Sequence, residues 1–313
     1  PMKDFGPLVP IVTPCSPGGE PDLAGVQAVC REMIAAGCRG IFVAGSTGRG
    51  PWFSRADRAN VCAAAADVCQ ETTPLIAGAS GSGLPDMLDN ARAMADAGAR
   101  IVVATVPGYY KYNPAEIEAI YLSFADASPL PVMVYDIPEF THTKLDEGLV
   151  LRLGRHGNVA AFKDSSADGA RFGALVQALA ERPDFLLFQG KENLLLDSLQ
   201  LGASGFIVSL VHLAPQAFVG LYRAARAGDL ELASAIQERI NAALVLIRGA
   251  IDQRPESSTL FYMLNQALRQ RGVCENVLLS HESDPPAWLA DVTQRAIDEC
   301  VAASELISSH SKG

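Results

Sequence analysis

Two apolar patterns alternate along the chain. Short runs rich in β-branched residues recur at 8–12, 40–44, 74–78, 101–105, 131–135, 159–163, 185–188 and 205–209. They are apolar on both faces, as parallel strands covered on both sides require. Between them, apolar residues return with a period of 3.6 over 23–36, 54–69, 85–97, 114–127 and 170–179, which predicts amphipathic helices. Asp22, Ser54, Pro85 and the pair Asn113-Pro114 supply helix-start signals. Gly37, Gly98 and Gly202 supply helix stops.

A strand followed by a helix, repeated at intervals of roughly 20–35 residues, predicts an α/β chain folded as a (β/α)8 TIM barrel. A doubly wound sheet would carry a Gly-rich phosphate turn after its first strand. Here that strand runs into Thr13-Pro14-Cys15-Ser16-Pro17, which is no such turn. Past residue 213 only helical patterns follow, at 215–227, 230–251, 259–271 and 286–307. The expected organisation is a barrel over 1–213 and a C-terminal helical region over 214–313 packed on it.

Composition narrows the partners. The 313 residues are 49% hydrophobic and carry a net charge of −10. An acidic surface repels phosphate backbones, so no nucleic-acid partner is expected. No apolar run approaches the roughly 20 residues of a membrane helix, and the first residues hold no apolar signal segment. The seven cysteines form no C-x-x-C pair and sit mostly in Ala- and Val-rich stretches. They read as free, buried thiols of a cytoplasmic protein. The five histidines are scattered without metal-ligand spacing, so no metal site is expected.

In such barrels chemistry sits at the C-terminal strand ends. Lys163 closes the apolar run Val159-Ala160-Ala161-Phe162. An amine in a partly dry pocket favours its neutral form, which can attack a ketone. The alternative is a strand-end lysine paired with Asp164. Tyr135 closes Val132-Met133-Val134 on the preceding strand, where a phenol beside an amine can relay protons. Its alternative is an ordinary core tyrosine. The loop Gly45-Ser46-Thr47-Gly48 offers amides and two hydroxyls that suit a small carboxylate; it also reads as a plain Gly-rich loop. The three together, around one mouth, carry the signal.

The order of these motifs resembles the dihydrodipicolinate synthase / N-acetylneuraminate lyase family of class I aldolases. The resemblance spans about residues 10–215. It rests on Gly45-Ser46-Thr47-Gly48, Pro107-Gly108-Tyr109-Tyr110, Tyr135-Asp136-Ile137-Pro138, Phe162-Lys163-Asp164-Ser165 and Gly205-Phe206-Ile207-Val208-Ser209. It implies a Schiff base between Lys163 and pyruvate or another 2-keto acid, with an aldehyde as the second partner and no added cofactor. It implies proton transfer by Tyr135, and Ser46 linking Tyr135 to a Tyr110 lent by a neighbouring subunit of a homotetramer. Thr47 and the amides near Gly45 would take the pyruvate carboxylate, and Ile207 would border the pocket.

Departures from the family pattern bear on the second substrate. Arg49 stands where an acidic residue is usual, and Gly48-Arg49-Gly50-Pro51 resembles the 2-keto-3-deoxygluconate aldolases. Phe140 stands where the synthases carry an arginine for the second carboxylate, and Asp136 replaces the usual asparagine. Arg49 reads as a contact to an anionic substrate tail or as a surface residue. Glu192, Asn193 and Ser209 lie at the later strand ends, where the resemblance to the sialic acid lyases implies hydrogen bonds to a polyol chain, and Gly190 is a further candidate for substrate binding; Glu192 and Asn193 also read as helix-end residues. The leading expectation is an aldolase for 2-keto-3-deoxy sugar acids. Its rivals are a synthase joining pyruvate to aspartate semialdehyde, a dehydratase of the same family, and a non-catalytic metabolite-binding barrel.

Overall fold

The structure, a computed structural model, describes residues 5–69, 71–182, 184–279, 282 and 285–310. Eight parallel strands close into a barrel: β1 (Gly6–Pro10), β2 (Gly40–Val43), β3 (Leu75–Gly78), β4 (Ile101–Ala104), β5 (Val132–Asp136), β6 (Val159–Asp164), β7 (Leu186–Gln189) and β8 (Gly205–Ile207). Each expected strand is present. The first lies two residues earlier than its apolar run suggests, because β8 pairs with Gly6 and Pro7.

Alternation divides the strand side chains between two cores. Leu8, Phe42, Ile76, Val103, Met133, Ala161, Phe188 and Ile207 fill the barrel interior. Val9, Ile41, Val43, Val102, Val132, Val159, Phe162 and Phe206 face outward and pack beneath the helices. This two-sided burial is why the strands read as continuous apolar runs.

Strand β6 breaks the alternation once. Val132 pairs with Val159, but the next residue, Met133, pairs with Ala161. Ala160 is therefore the extra residue of an irregularity that turns the rest of the strand over. Val159 faces the helices, whereas Ala161 faces the barrel axis. Without that shift Lys163, four residues from Val159, would point outward.

The helix signals act as expected. Asp22, Ser54 and Asn113 accept hydrogen bonds from backbone N–H groups of their first turns. Gly37 and Gly202 take left-handed conformations at helix ends, with φ of 100° and 106°. Three short helices, Pro138–Thr141, Glu147–Leu153 and Leu195–Leu201, had no clear apolar period in so few residues.

Helix Pro215–Ala227 packs on β1 and on helices Leu23–Ala36 and Leu195–Leu201, closing the outer ring. Helices Leu230–Ile251, Glu256–Gln270 and Ala287–His310 follow, and their apolar faces join the same core as the barrel helices. The second of these reaches back over the barrel mouth, where Ser257, Leu260 and Phe261 face the strand ends. All seven cysteines are free and all but Cys69 are buried; burial pushes the Cys38 thiol up to about 12. No helix among the described residues is long and apolar enough to cross a membrane.

Candidate active site

Lys163 stands at the centre of the barrel mouth with 4% of its surface exposed. It pairs in register with Tyr135 on β5. Its Nζ lies 4.0 Å from the Tyr135 ring centre and 5.6 Å from that of Phe42. The adjacent residues point the other way. Asp136 and Asp164, also in register, leave the barrel axis and meet Arg171 on helix Gly169–Ala178. The Arg171 Nη2 donates to Asp136 Oδ2 at 2.7 Å and to Asp164 Oδ2 at 2.6 Å. A further bond from Nη1 goes to the Leu145 carbonyl. Burial pushes the Asp136 carboxyl up to about 6, against the pull of Arg171. The alternative pairing of Lys163 with Asp164 is thus absent: Asp164 is satisfied by Arg171 and by the Ser166 N–H.

A cavity of about 140 Å³ opens above Lys163. Among the expected residues it is lined by Ser46, Thr47, Tyr135, Phe140, Gly190, Glu192, Ile207 and Ser209. Gly45 lies in an adjoining cavity of about 590 Å³, which shares Ser46, Tyr135 and Phe140. A side chain on Gly45 would meet the Phe42 ring at 2.6 Å, so the loop runs close to the barrel floor only because that position is glycine. Phe140 is 54% exposed and forms a rim between the two cavities.

Ser165, the last residue of the motif Phe162-Lys163-Asp164-Ser165, gains a role from the structure. Its Oγ lies 3.4 Å from the Tyr135 hydroxyl and 3.3 Å from the Gly190 carbonyl, within donating distance of both. Within one chain, the Tyr135 hydroxyl therefore meets Ser165. Tyr110 is 64% exposed, stacks edge-on against Tyr109, and lines neither cavity of its own chain.

Glu192 faces Ser209, whose Oγ lies 3.4 Å from the Glu192 Oε1. Asn193 turns away to accept a bond from Arg248. Behind Ser209, buried His212 joins the ends of β1 and β8. Its Nε2 accepts from the Val12 N–H at 3.3 Å, which leaves the proton on Nδ1 to donate to the Ser209 carbonyl at 2.9 Å. A neutral ring satisfies both bonds, and burial pushes its pKa down to about 4.

Arg49 requires a correction. It is not on the surface and lines neither of the two cavities above: it is 8% exposed, and its guanidinium grips both oxygens of Glu282 at 2.7 and 2.9 Å. It also donates to the Val277 carbonyl and lies 3.5 Å above the Phe261 ring. Arg49 ties the β2 loop to the C-terminal region, a partner 233 residues away that local sequence cannot reveal. The described residues hold no cluster of His, Cys, Asp and Glu fit for a metal ion.

Comparison with known proteins gives this geometry a context. The model of the dihydrodipicolinate synthetase family matches residues 4–281. The 4-hydroxy-tetrahydrodipicolinate synthase 1 of Streptomyces coelicolor is 31% identical over 232 residues, covering 74% of this chain and 75% of that protein. The 4-hydroxy-tetrahydrodipicolinate synthase of Corynebacterium aurimucosum is 31% identical over 251 residues, covering 80% and 82%. Among solved structures, the dihydrodipicolinate synthase of Acinetobacter baumannii, complexed with pyruvate, superposes with a TM-score of 0.85 at 22% identity, covering 95% of this chain and 99% of that one. A prophage protein from E. coli K12, also complexed with pyruvate, gives 0.83 at 24% identity, covering 96% and 98%. These relatives give no support to the closeness to 2-keto-3-deoxygluconate aldolases expected from the β2 loop.

Proposed function

Since the chain belongs to the dihydrodipicolinate synthetase family of pyruvate-dependent class I aldolases and lyases, we propose that it joins pyruvate to an aldehyde through a Schiff base on Lys163. The observation that carries this reading is the placement of Lys163 Nζ against the Tyr135 ring, inside a cavity and away from any carboxylate partner. With no carboxylate bonded to the nitrogen, the approach of a keto carbon to it from the cavity is open.

The steps follow from that placement. The neutral Lys163 amine attacks C2 of pyruvate to give a carbinolamine. Loss of water yields an iminium, which withdraws electrons from C3. Loss of a C3 proton gives an enamine, whose carbon attacks the aldehyde. Hydrolysis then frees the product and restores the amine. Tyr135 moves the protons, and Ser165 Oγ holds its hydroxyl over the pocket. Thr47 and the loop amides take the pyruvate carboxylate, with Ile207 as the apolar floor. The chemistry asks for no metal or further cofactor, since the iminium is the electron sink.

The names of the relatives favour aspartate semialdehyde as the aldehyde, so the synthase reading replaces sugar acids as the first choice. A second reading, cleavage of 2-keto-3-deoxy sugar acids, is supported by the apolar rim at Phe140 and the polar pair Glu192–Ser209. The deciding assay compares kcat/KM for pyruvate with aspartate semialdehyde against cleavage of 2-keto-3-deoxygluconate. A preference for the semialdehyde of tenfold or more, about 1.4 kcal/mol of transition-state preference, supports the synthase reading; the reverse ratio restores the sugar-acid one.

Assembly belongs to the same proposal. Tyr110 is 64% exposed and lines neither cavity of its own chain, whereas its neighbour Tyr109 borders the larger one. A second copy could receive Tyr110 near Ser46, which fits a homotetramer built from site-sharing dimers. A cytoplasmic location accords with free buried cysteines.

A further inference from the structure

The cavity above Lys163 is lined by the charged side chains of Glu139, Lys163, Lys191 and Glu192. Glu192 is turned onto Ser209 Oγ and the Leu210 N–H. In the reaction proposed above, Lys163 is occupied as the imine. Lys191 is then the cation left to face the cavity.

Its backbone is firmly placed. The N–H groups of Gly190 and Lys191 both donate to Gln189 Oε1 at 2.9 Å. The Gln189 amide in turn donates to buried Ser198 at 2.8 Å. Gly190 N–H also reaches the Asp164 carbonyl at 2.7 Å, beside Lys163. The loop that carries Lys191 is thus tied to the strand that carries the proposed nucleophile.

The side chain crosses the mouth from the β7 end to the β5 end. Its Nζ meets Glu139 Oε2 at 3.1 Å, next to Phe140 on helix Pro138–Thr141. The lysine is 28% exposed and the glutamate 43%. An ion pair this open to water is weak, so another anion can take the place of the glutamate at small cost. An ammonium offers three donors without a fixed fork and suits a carboxylate arriving from several angles.

We propose that Lys191 is a specificity-determining residue that binds a carboxylate on the far end of the aldehyde substrate, which takes the place of Glu139 as its counter-ion. The preferred substrates are then aldehydes bearing a carboxylate, over uncharged aldehydes of equal length. The inference rests on the aldolase reading and adds to it the charge of the second substrate.

The test pairs pyruvate with succinic semialdehyde, with uncharged pentanal, and with glyceraldehyde 3-phosphate, using the full chain. The wild type is expected to favour succinic semialdehyde over pentanal in kcat/KM. Lys191→Met is expected to lower that ratio by tenfold or more, about 1.4 kcal/mol, while Lys191→Arg keeps most of it. Glu139→Gln is expected to raise it. A ratio that Lys191→Met leaves unchanged, or a wild type with no preference for the carboxylate, overturns the proposal. So does a preference confined to the phosphorylated aldehyde. Borohydride trapping of pyruvate on the same variants keeps the two claims apart. Loss of trapping in the wild type removes the aldolase reading, whereas intact trapping with an unchanged ratio removes the role of Lys191 alone.

Discussion

Tyr135 and Lys163 are opposite each other in the β5–β6 ladder, and the lysine nitrogen lies 4.0 Å from the centre of the tyrosine ring. The residues one step on, Asp136 and Asp164, are opposite each other too and share the Arg171 guanidinium behind the sheet. One face of this short ladder holds the reactive pair; the other holds the ion cluster that fixes both strand ends.

Arg171→Leu should therefore be costly. It leaves two buried carboxylates without their counter-charge, a loss of about 3–5 kcal/mol for a broken buried ion pair. Urea unfolding of the variant measures it. The triple variant with Asp136→Asn and Asp164→Asn should recover part of the loss, because no uncompensated charge remains. A loss below about 1 kcal/mol, the range of exposed pairs, contradicts this account of the cluster.

Stability should also fall with acid through His212. Its pKa is lowered from 6.5 to about 4 in the folded chain. Between those values the unfolded chain binds a proton that the folded chain does not, so stability rises with pH across that window. The shift corresponds to about 3 kcal/mol lost between pH 6.5 and pH 4. Asp136, pushed up to about 6, acts with the opposite sign, because its folded form takes the proton first. Comparing wild type with His212→Gln cancels the Asp136 contribution. The wild-type stability should drop more steeply below pH 6.5 than that of the variant; parallel profiles contradict the role given to the ring.

Gly190→Ala should slow turnover more than it harms folding. A methyl group there would overlap Ser165 Oγ and press on the Asp164 carbonyl at 2.8 Å. Ser165 would lose its place beneath the Tyr135 hydroxyl. The expected result is a fall in kcat with pyruvate KM changed less, in steady-state assays. Equal kcat for variant and wild type would mean that Ser165 does not hold the phenol.

Tyr110 should act on a neighbouring subunit. Tyr110→Phe and Lys163→Ala chains, each weakly active or inactive alone, should regain activity when unfolded and refolded together. Sedimentation should give a species larger than a monomer at micromolar concentration. A monomer, or mixtures no better than their parts, contradicts the shared site.

Much of the fold was legible because the barrel imposes a simple rule: strands buried on both faces read as apolar runs, and capped helices lie between them. Asp22, Ser54 and Asn113 mark helix starts in the sequence and cap them in the structure. The candidate site was legible where it lies at strand ends, as with Lys163, Tyr135 and Thr47. Three features were not. The irregularity at Ala160, which turns Lys163 inward, leaves the run Val159-Ala160-Ala161-Phe162 equally apolar whichever way it faces. Arg49 looked like a substrate or surface residue because Glu282 lies 233 positions away. Ser257 and Phe261 reach the mouth from a C-terminal helix whose placement depends on tertiary packing and not on any local motif.

The central claim is the covalent step, and trapping tests it most directly. The protein is incubated with pyruvate, reduced with borohydride, digested and mapped by mass spectrometry. A reduced pyruvyl group on Lys163 is the expected result, lost in Lys163→Ala and retained in Tyr135→Phe, whose turnover should fall by about 10²-fold or more for want of a proton relay. An adduct on another lysine, or no adduct at all, contradicts the account.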